Sequence, residues 1–209
     1  SSVYNLDYPS QKGLTADALR READALLDLA ERCGLNAVVL QVRPCADSLY
    51  PSALFPWSEY LTGTQGKAPD GGFDPLGYFI EAGHARGLKI HAWCNPYRVT
   101  RGAAKSREEA LSRLAEGHPA RSRPELVRFH SDGCLYFDPG LPQAQALILD
   151  GMLEIVKSYP VDGLHLDDYF YPGADFDDAG AYAAYGGRFS DLGDFRRDAV
   201  TQFVSRLYR

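Results

Sequence analysis

The sequence predicts an α/β fold built around a parallel sheet. Three observations lead there. Apolar runs recur along the chain, "NAVVLQV" at 36–42, "LKIHAWC" at 88–94 and "VDGLHLD" at 161–167; runs of this kind suit parallel strands covered on both faces. Amphipathic helical segments lie between them. Turns from helix into strand are short, whereas connections from strand into helix are long and rich in polar and aromatic residues, which places function at the C-terminal ends of the strands.

Taken in order, the opening "SSVYNLDYP" reads as the end of a first strand. Thr15 can cap a helix to about Cys33, with the apolar stripe Leu19, Ala23, Leu26, Ala30 and Cys33, and Gly34 suits the position just past its end. The strand at 36–42 follows, then a long loop from Arg43 to Phe73. Asp74 and Pro75 form a cap with proline at the first helical position; the helix turns Leu76, Phe79, Ile80 and Gly83 inward and ends at Gly87. After the strand at 88–94, a second long segment, Asn95 to Gly133, holds a short helix signalled by the capping box Ser106 to Glu109. "GCLYF" is a brief strand. Pro142 opens a helix with the stripe Ile148, Met152, Ile155, Val156 and Tyr159; the strand at 161–167 follows, and a last helix starts near Asp194.

These elements make four strand–helix units in what reads as one domain, residues 1–209. A closed barrel needs eight units and about 250 residues. The chain is therefore read as α/β of the (β/α)8 TIM-barrel type, covering about the first four units, with a small open α/β domain as the other arrangement. An incomplete barrel would leave self-association as a route to closure.

Composition narrows the function. The net charge is −6 and no Lys/Arg run exists, which argues against a nucleic-acid partner. No segment has the length and apolarity of a membrane span. No G-x-G-x-x-G or P-loop follows a strand, and no G-x-S-x-G elbow occurs. The cysteines, Cys33, Cys45, Cys94 and Cys134, are scattered without zinc spacing; Cys33 and Cys94 fall in apolar patterns and are expected as buried thiols. "GADFDDAG", 173–180, lacks a calcium-loop pattern and reads as a solvated loop. Neither a metal nor a cofactor is expected.

The polar residues cluster at the strand ends. "QVRP" brings Gln41 and Arg43 to one end, on one face by alternation, with Asp47 just beyond. "HAWCNPYR" brings His91, Trp93, Asn95, Tyr97 and Arg98. Asn95 can hydrogen-bond a sugar hydroxyl, and Arg98 can hold a carboxylate. "HLDDYFYP" brings His165, Asp167, Asp168, Tyr169 and Tyr171. Alternation sends Asp167 inward with His165 and Gly163, and leaves Leu164 and Leu166 toward the helices. Asp167 and Asp168 are the candidate catalytic carboxylates, but neighbours on one strand diverge. A glycosidase needs two carboxyls about 5–10 Å apart across the scissile bond, so Asp167 is one half of that pair and Asp168 supports it. The plainer alternatives are an Asn-Pro turn at Asn95, satisfied core histidines, and aromatics that cap the core.

"NLDYPS", "NAVVLQVRPCADSLYPSALFPWSEYLTG", "FDPLGYFIEAGHARGLKIHAWCNPYR", "FDPGLP" and "VDGLHLDDYFYP" together resemble the glycosyl-hydrolase-like family 10. The resemblance implies a (β/α)8 barrel of the bacterial cell envelope or exterior. It also implies a glycoside hydrolase whose substrate is polysaccharide, peptidoglycan glycan strands in particular, since the family includes an outer-membrane lipoprotein that cleaves such strands. It implies further strands past Arg209, and a second carboxylate among them. "GLHLD" also resembles the fourth-strand "GFRxD" of α-amylase-type enzymes, whose Asp is the nucleophile. The chitinase pattern DxxDxDxE fails here, with His165 and Tyr169 at two of its acidic positions. The rival class is a noncatalytic carbohydrate-binding barrel or inactive fragment; a metal-dependent deacetylase is disfavoured by the lack of a ligand triad.

Overall fold

The computed structural model describes residues 1–2, 7–102, 104–167 and 170–208. In chain order the elements are α1 (Ala16–Arg32), β1 (Ala37–Arg43), α2 (Glu59–Thr62), α3 (Pro75–Ala85), β2 (Lys89–Cys94), α4 (Arg107–Ser112) and α5 (Pro119–Ser122). They continue with β3 (Val127–Phe129), β4 (Leu135–Phe137), α6 (Pro142–Ser158), β5 (Gly163–Leu166), α7 (Ala179–Tyr185) and α8 (Leu192–Tyr208). The chain divides into two compact units: Ser1–Asn95 with Glu154–Asp167, and Pro96–Leu153 with Asp168–Arg209.

In the first unit, β1, β2 and β5 form a parallel sheet in that order. Local chemistry sets the helices that join them. The Thr15 side chain accepts from Ala18 N and starts α1. Gly34, at φ +69, lets the chain reverse out of it, because a left-handed backbone carries no Cβ penalty at glycine. The i, i+4 ladder from Leu19 runs through Ala23 to Leu27 and buries all three with Ala30, so Leu27 takes the place expected for Leu26. Cys33 falls past this stripe, at the C-cap, and is exposed, which corrects the expectation of a buried thiol there; Cys94 is buried as expected. Asp74 accepts from Gly77 N at 3.1 Å and caps α3, with Pro75 in its first turn. Tyr78 Oη and Arg86 reach Asp24 and Asp28 of α1 at 2.8–3.1 Å and lock the two helices side by side. Leu40, Val42, Ile90 and Ala92 are fully buried strand residues of this unit.

Of the opening strand, residues 3–6 lie outside the described residues. Ser1 nevertheless brackets β1 in ladder fashion: its amino group donates to Val39 O at 2.7 Å, and Gln41 N donates to Ser1 O at 3.0 Å.

In the second unit, β3 pairs antiparallel with β4. Phe137 N donates to Tyr97 O and Val99 N to Leu135 O, so the segment after Asn95 runs along β4. Ser106 caps α4 through Glu109 N as expected. The stretch 173–180 is largely exposed, as expected of a solvated loop, but Phe176 and Asp178 are buried in it. Asp178, 1% exposed, takes two hydrogen bonds from Arg196 at 2.7 and 2.8 Å, and α7 begins at the next residue. The cation that makes this burial tolerable sits in α8, far along the sequence. α8 buries Phe195, Ala199 and Phe203. Ile148 and Met152 of α6 are buried; in the end of α6 that belongs to the first unit, Ile155 is buried but Val156 is exposed, off the stripe expected for it. Among the described residues no helix is long and apolar enough to cross a membrane.

Close packing between distant parts of the second unit is visible at Gly140. A Cβ there would stand 2.8 Å from the Phe195 ring and 2.9 Å from the Ala181 methyl. Gly140→Ala is expected to destabilise the protein by about 1–3 kcal/mol in urea unfolding. An unchanged midpoint would show that α7 and α8 do not close on this residue.

Candidate functional site

The parallel register fixes which side chains share a face. Val39, His91 and Gly163 form one row across the sheet, and Gln41, Trp93 and His165 the next. Contacts agree with the register: a Cβ on Gly163 would meet the His91 ring at 2.8 Å, and the Trp93 and His165 rings meet edge to face at 6.0 Å. Two residues further along β2 and β5, alternation returns Asn95 and Asp167 to the same face. There Asn95 Nδ2 donates to Asp167 Oδ2. Gln41 Nε2 donates to Asn95 Oδ1 at 2.6 Å, and Ser2 Oγ donates to Gln41 Oε1 at 3.2 Å. Asp167 is half-buried and His165 exposed, while Gln41 and Asn95 are buried. The structure thus joins Gln41, Asn95 and Asp167 with Trp93 and His165 beneath them. Buried Gln41 and Asn95 spend their amides on each other and on Asp167 rather than lying open to a sugar, as the sequence suggested.

Arg43 does not join them. The register slips between Gln41 and Arg43, so that Gln41 pairs with Trp93 but Arg43 with Cys94. The extra residue, Val42, turns Arg43 onto the opposite face, which overturns the shared face expected for Gln41 and Arg43. The Arg43 guanidinium is fully buried and lies over the Phe55 ring at 3.8 Å from its centroid. Among the described residues no hydrogen-bond acceptor reaches its nitrogens. Asp47 is buried on this side too, at 2% exposure, rather than open to a ligand. It accepts from the Ser58 side chain and the Cys45 backbone, yet burial pushes its carboxyl up to about 6, outweighing these bonds and the pull of Arg43. Burial likewise pushes the Cys94 thiol up to about 11.

In the second unit Tyr97 is fully buried against Phe170 and Phe203, with ring centroids 6.0 and 5.5 Å away. It is core packing rather than an exposed platform. Arg98 bridges to Tyr136 of β4. Tyr171 packs on Phe176 at 5.5 Å, with the Arg196 guanidinium 5.1 Å from its ring. Asp168 and Tyr169 lie outside the described residues. Among the described residues no three His, Cys, Asp or Glu side chains converge as a metal site.

Sequence reasoning missed Ser2 as the anchor of Gln41, since the opening residues carry no motif. It also missed buried Asp138 of the second unit, whose Oδ1 accepts from Gly140 N at 2.9 Å and whose Oδ2 faces Arg128 at 3.0 Å. The "FDPG" turn, with aspartate two residues before glycine, was the available signal.

A parallel sheet that presents an amide-anchored carboxylate at its C-terminal strand ends defines an α/β protein of the class that carries its sites there. The chain belongs to the glycosyl hydrolase-like 10 family, whose model matches residues 1–209. It is 46% identical over 212 residues to "Glycosyl hydrolase YngK" of Bacillus subtilis (strain 168), covering 99% of this chain and 40% of that protein. It is 37% identical over 187 residues to "Glycosyl hydrolase DigH" of Escherichia coli (strain K12), covering 87% of this chain and 42% of that protein. The chain thus spans about two fifths of the length of these relatives. Among solved structures, α-L-fucosidase isoenzyme 2 from Paenibacillus thiaminolyticus superposes with a TM-score of 0.55 at 18% identity, over 90% of this chain and 26% of that one. A hypothetical protein from Ruminiclostridium thermocellum ATCC 27405 superposes with a TM-score of 0.59 at 12% identity, over 93% and 92%. At such identities the structural likeness concerns the fold.

The raised carboxyl of Asp47 has a measurable consequence. The folded group, at about 6, holds its proton more tightly than an unfolded one near 3.8. Its contribution therefore favours the folded state in acid and is lost as pH rises from about 4 to about 6. Relative to Asp47→Asn, the wild type is expected to lose on the order of 3 kcal/mol across that window, read by urea unfolding at pH 4 and pH 7. A stability difference that does not change with pH would contradict it.

Proposed function

We propose that this chain carries one half of the active site of a glycoside hydrolase of the bacterial cell envelope, acting on peptidoglycan glycan strands, with Asp167 as a catalytic carboxylate. The observation that carries this is the Asn95–Asp167 hydrogen bond at the C-terminal ends of β2 and β5. It fixes a carboxylate where barrel enzymes do their chemistry. Trp93 and His165 lie in the next row of that face, an aromatic surface suited to the apolar side of a sugar ring. Family membership supports hydrolysis of a glycosidic bond, and the sequence resemblance extends the substrate to peptidoglycan.

Chemically, one carboxyl is not enough. Glycosidic cleavage needs a partner about 5–10 Å away to share the work of acid, base or nucleophile. The partner is assigned to the length of the relatives that this chain does not span.

In the complete protein, Asp167→Asn is expected to lower turnover of purified glycan strands about 1,000-fold or more while leaving thermal unfolding in place. Turnover retained by this variant would remove Asp167 from the chemistry. A wild-type protein that binds the strands calorimetrically but releases no product would make the chain part of a carbohydrate-binding barrel instead.

A further inference from the structure

The hydrogen bonds that end at Asp167 all run in one direction. Ser2 Oγ donates to Gln41, Gln41 Nε2 donates to Asn95 at 2.6 Å, and Asn95 Nδ2 donates to Asp167. An asparagine side chain has the same shape when turned by 180°, with the amino group and the oxygen exchanged. Asn95 is therefore oriented by its partners rather than by shape: an ionised Asp167 accepts only, and Gln41 holds the same choice from the other end. Its amino group occupies Asn95 Oδ1, so a turned Asn95 would set two amino groups against each other and two oxygens against each other. Ser2 Oγ donates to Gln41 Oε1 at the other end of that amide and adds a buried partner there. Gln41 and Asn95 are each 1% exposed, so water cannot readily supply replacement partners.

We propose that Gln41 is a positioning residue: by holding the oxygen of Asn95, it turns the amide N–H groups of Asn95 toward Asp167 and fixes that carboxylate for the reaction. This rests on Asp167 being the catalytic carboxylate. Gln41 itself touches no substrate in this role. Asp167 Oδ2 becomes a committed acceptor, which suits a group that acts as an anion, nucleophile or stabiliser of positive charge, rather than one that hands over a proton from that oxygen.

The test uses the complete protein with two substitutions of nearly the same length. Gln41→Glu replaces the donor by an acceptor and should turn Asn95 around; Gln41→Met removes the hydrogen bond without demanding a turn and serves if Gln41→Glu does not fold. Two readouts are taken. The first is kinetics on glycan strands, where kcat should fall about 10–100-fold in Gln41→Glu and less in Gln41→Met, with KM within about twofold of wild type. The second is the carboxyl carbon resonance of Asp167 in protein labelled with [4-¹³C]aspartate, assigned by its loss in Asp167→Asn. It should move in Gln41→Glu although Gln41 does not contact Asp167. A resonance unmoved in both variants, or an unchanged kcat in both beside an inactive Asp167→Asn, would overturn the proposal. If Asp167→Asn itself keeps turnover, the functional assignment fails, and the resonance alone still decides whether Gln41 governs Asp167.

Discussion

The extra residue in β1 organises the first unit. Without Val42 as a bulge, β1 would keep its register with β2 to its end, and Arg43 would stand on the same face as Gln41, beside Asn95. The slip after Gln41 leaves the neutral amide on the site face and sends the cation to the other. The carbonyls at the slip find partners: Leu49 N donates to Val42 O at 2.9 Å, and Asn95 N to Arg43 O at 2.8 Å. The first of these bonds folds the long loop back onto the strand. The second anchors the backbone of the residue whose side chain holds Asp167.

On the far side of the bulge the electrostatics are of a different kind. A buried guanidinium with no acceptor among the described residues is costly, and stacking on Phe55 offsets only part of that cost. Asp47 lies close enough to feel this charge, but burial dominates and raises its carboxyl. The site face behaves in the opposite way. Its buried polar groups form a connected file, each acceptor met by a donor, which rigidifies rather than strains the fold. Separation of the two environments by one sheet keeps the cation of Arg43 off the site face, so that a neutral donor, not a salt bridge, orients Asp167.

What the sequence reveals is what local chemistry determines. The caps at Thr15, Asp74 and Ser106, the glycine after α1, the strands and the row His165–Asp167 are all written in neighbouring residues, and the structure holds them. Its errors concern relations between distant segments. The bulge is a property of two strands together; alternation along β1 alone puts Gln41 and Arg43 on one face. The burial of Asp178 depends on Arg196, which no local pattern around "GADFDDAG" announces. Tyr97 sits in an aspect of the sequence that looks like a loop, and only Phe170 and Phe203 make it core. β3 has three residues and no alternation to read. The candidate site follows the same division: its residue types and its face were legible, while the division of labour among Gln41, Arg43 and Asn95 was not.

That division explains why the strand end carries amides. An arginine at position 41 could also hold Asn95 by its oxygen, but it would place a full charge beside Asp167 and require its own acceptors under a buried amide layer. A serine or threonine there is too short to span from β1 to the residue beyond β2. An apolar side chain would fill the space and leave the orientation of Asn95 to Asp167 alone. Glutamine combines the reach with a donor at one atom and an acceptor at the next, and so links Ser2 to Asn95 without adding charge. The neutrality matters for the chemistry. A carboxylate held by neutral donors keeps its negative charge available to positive charge developing on a sugar ring, whereas one paired with a guanidinium would have that charge already spent.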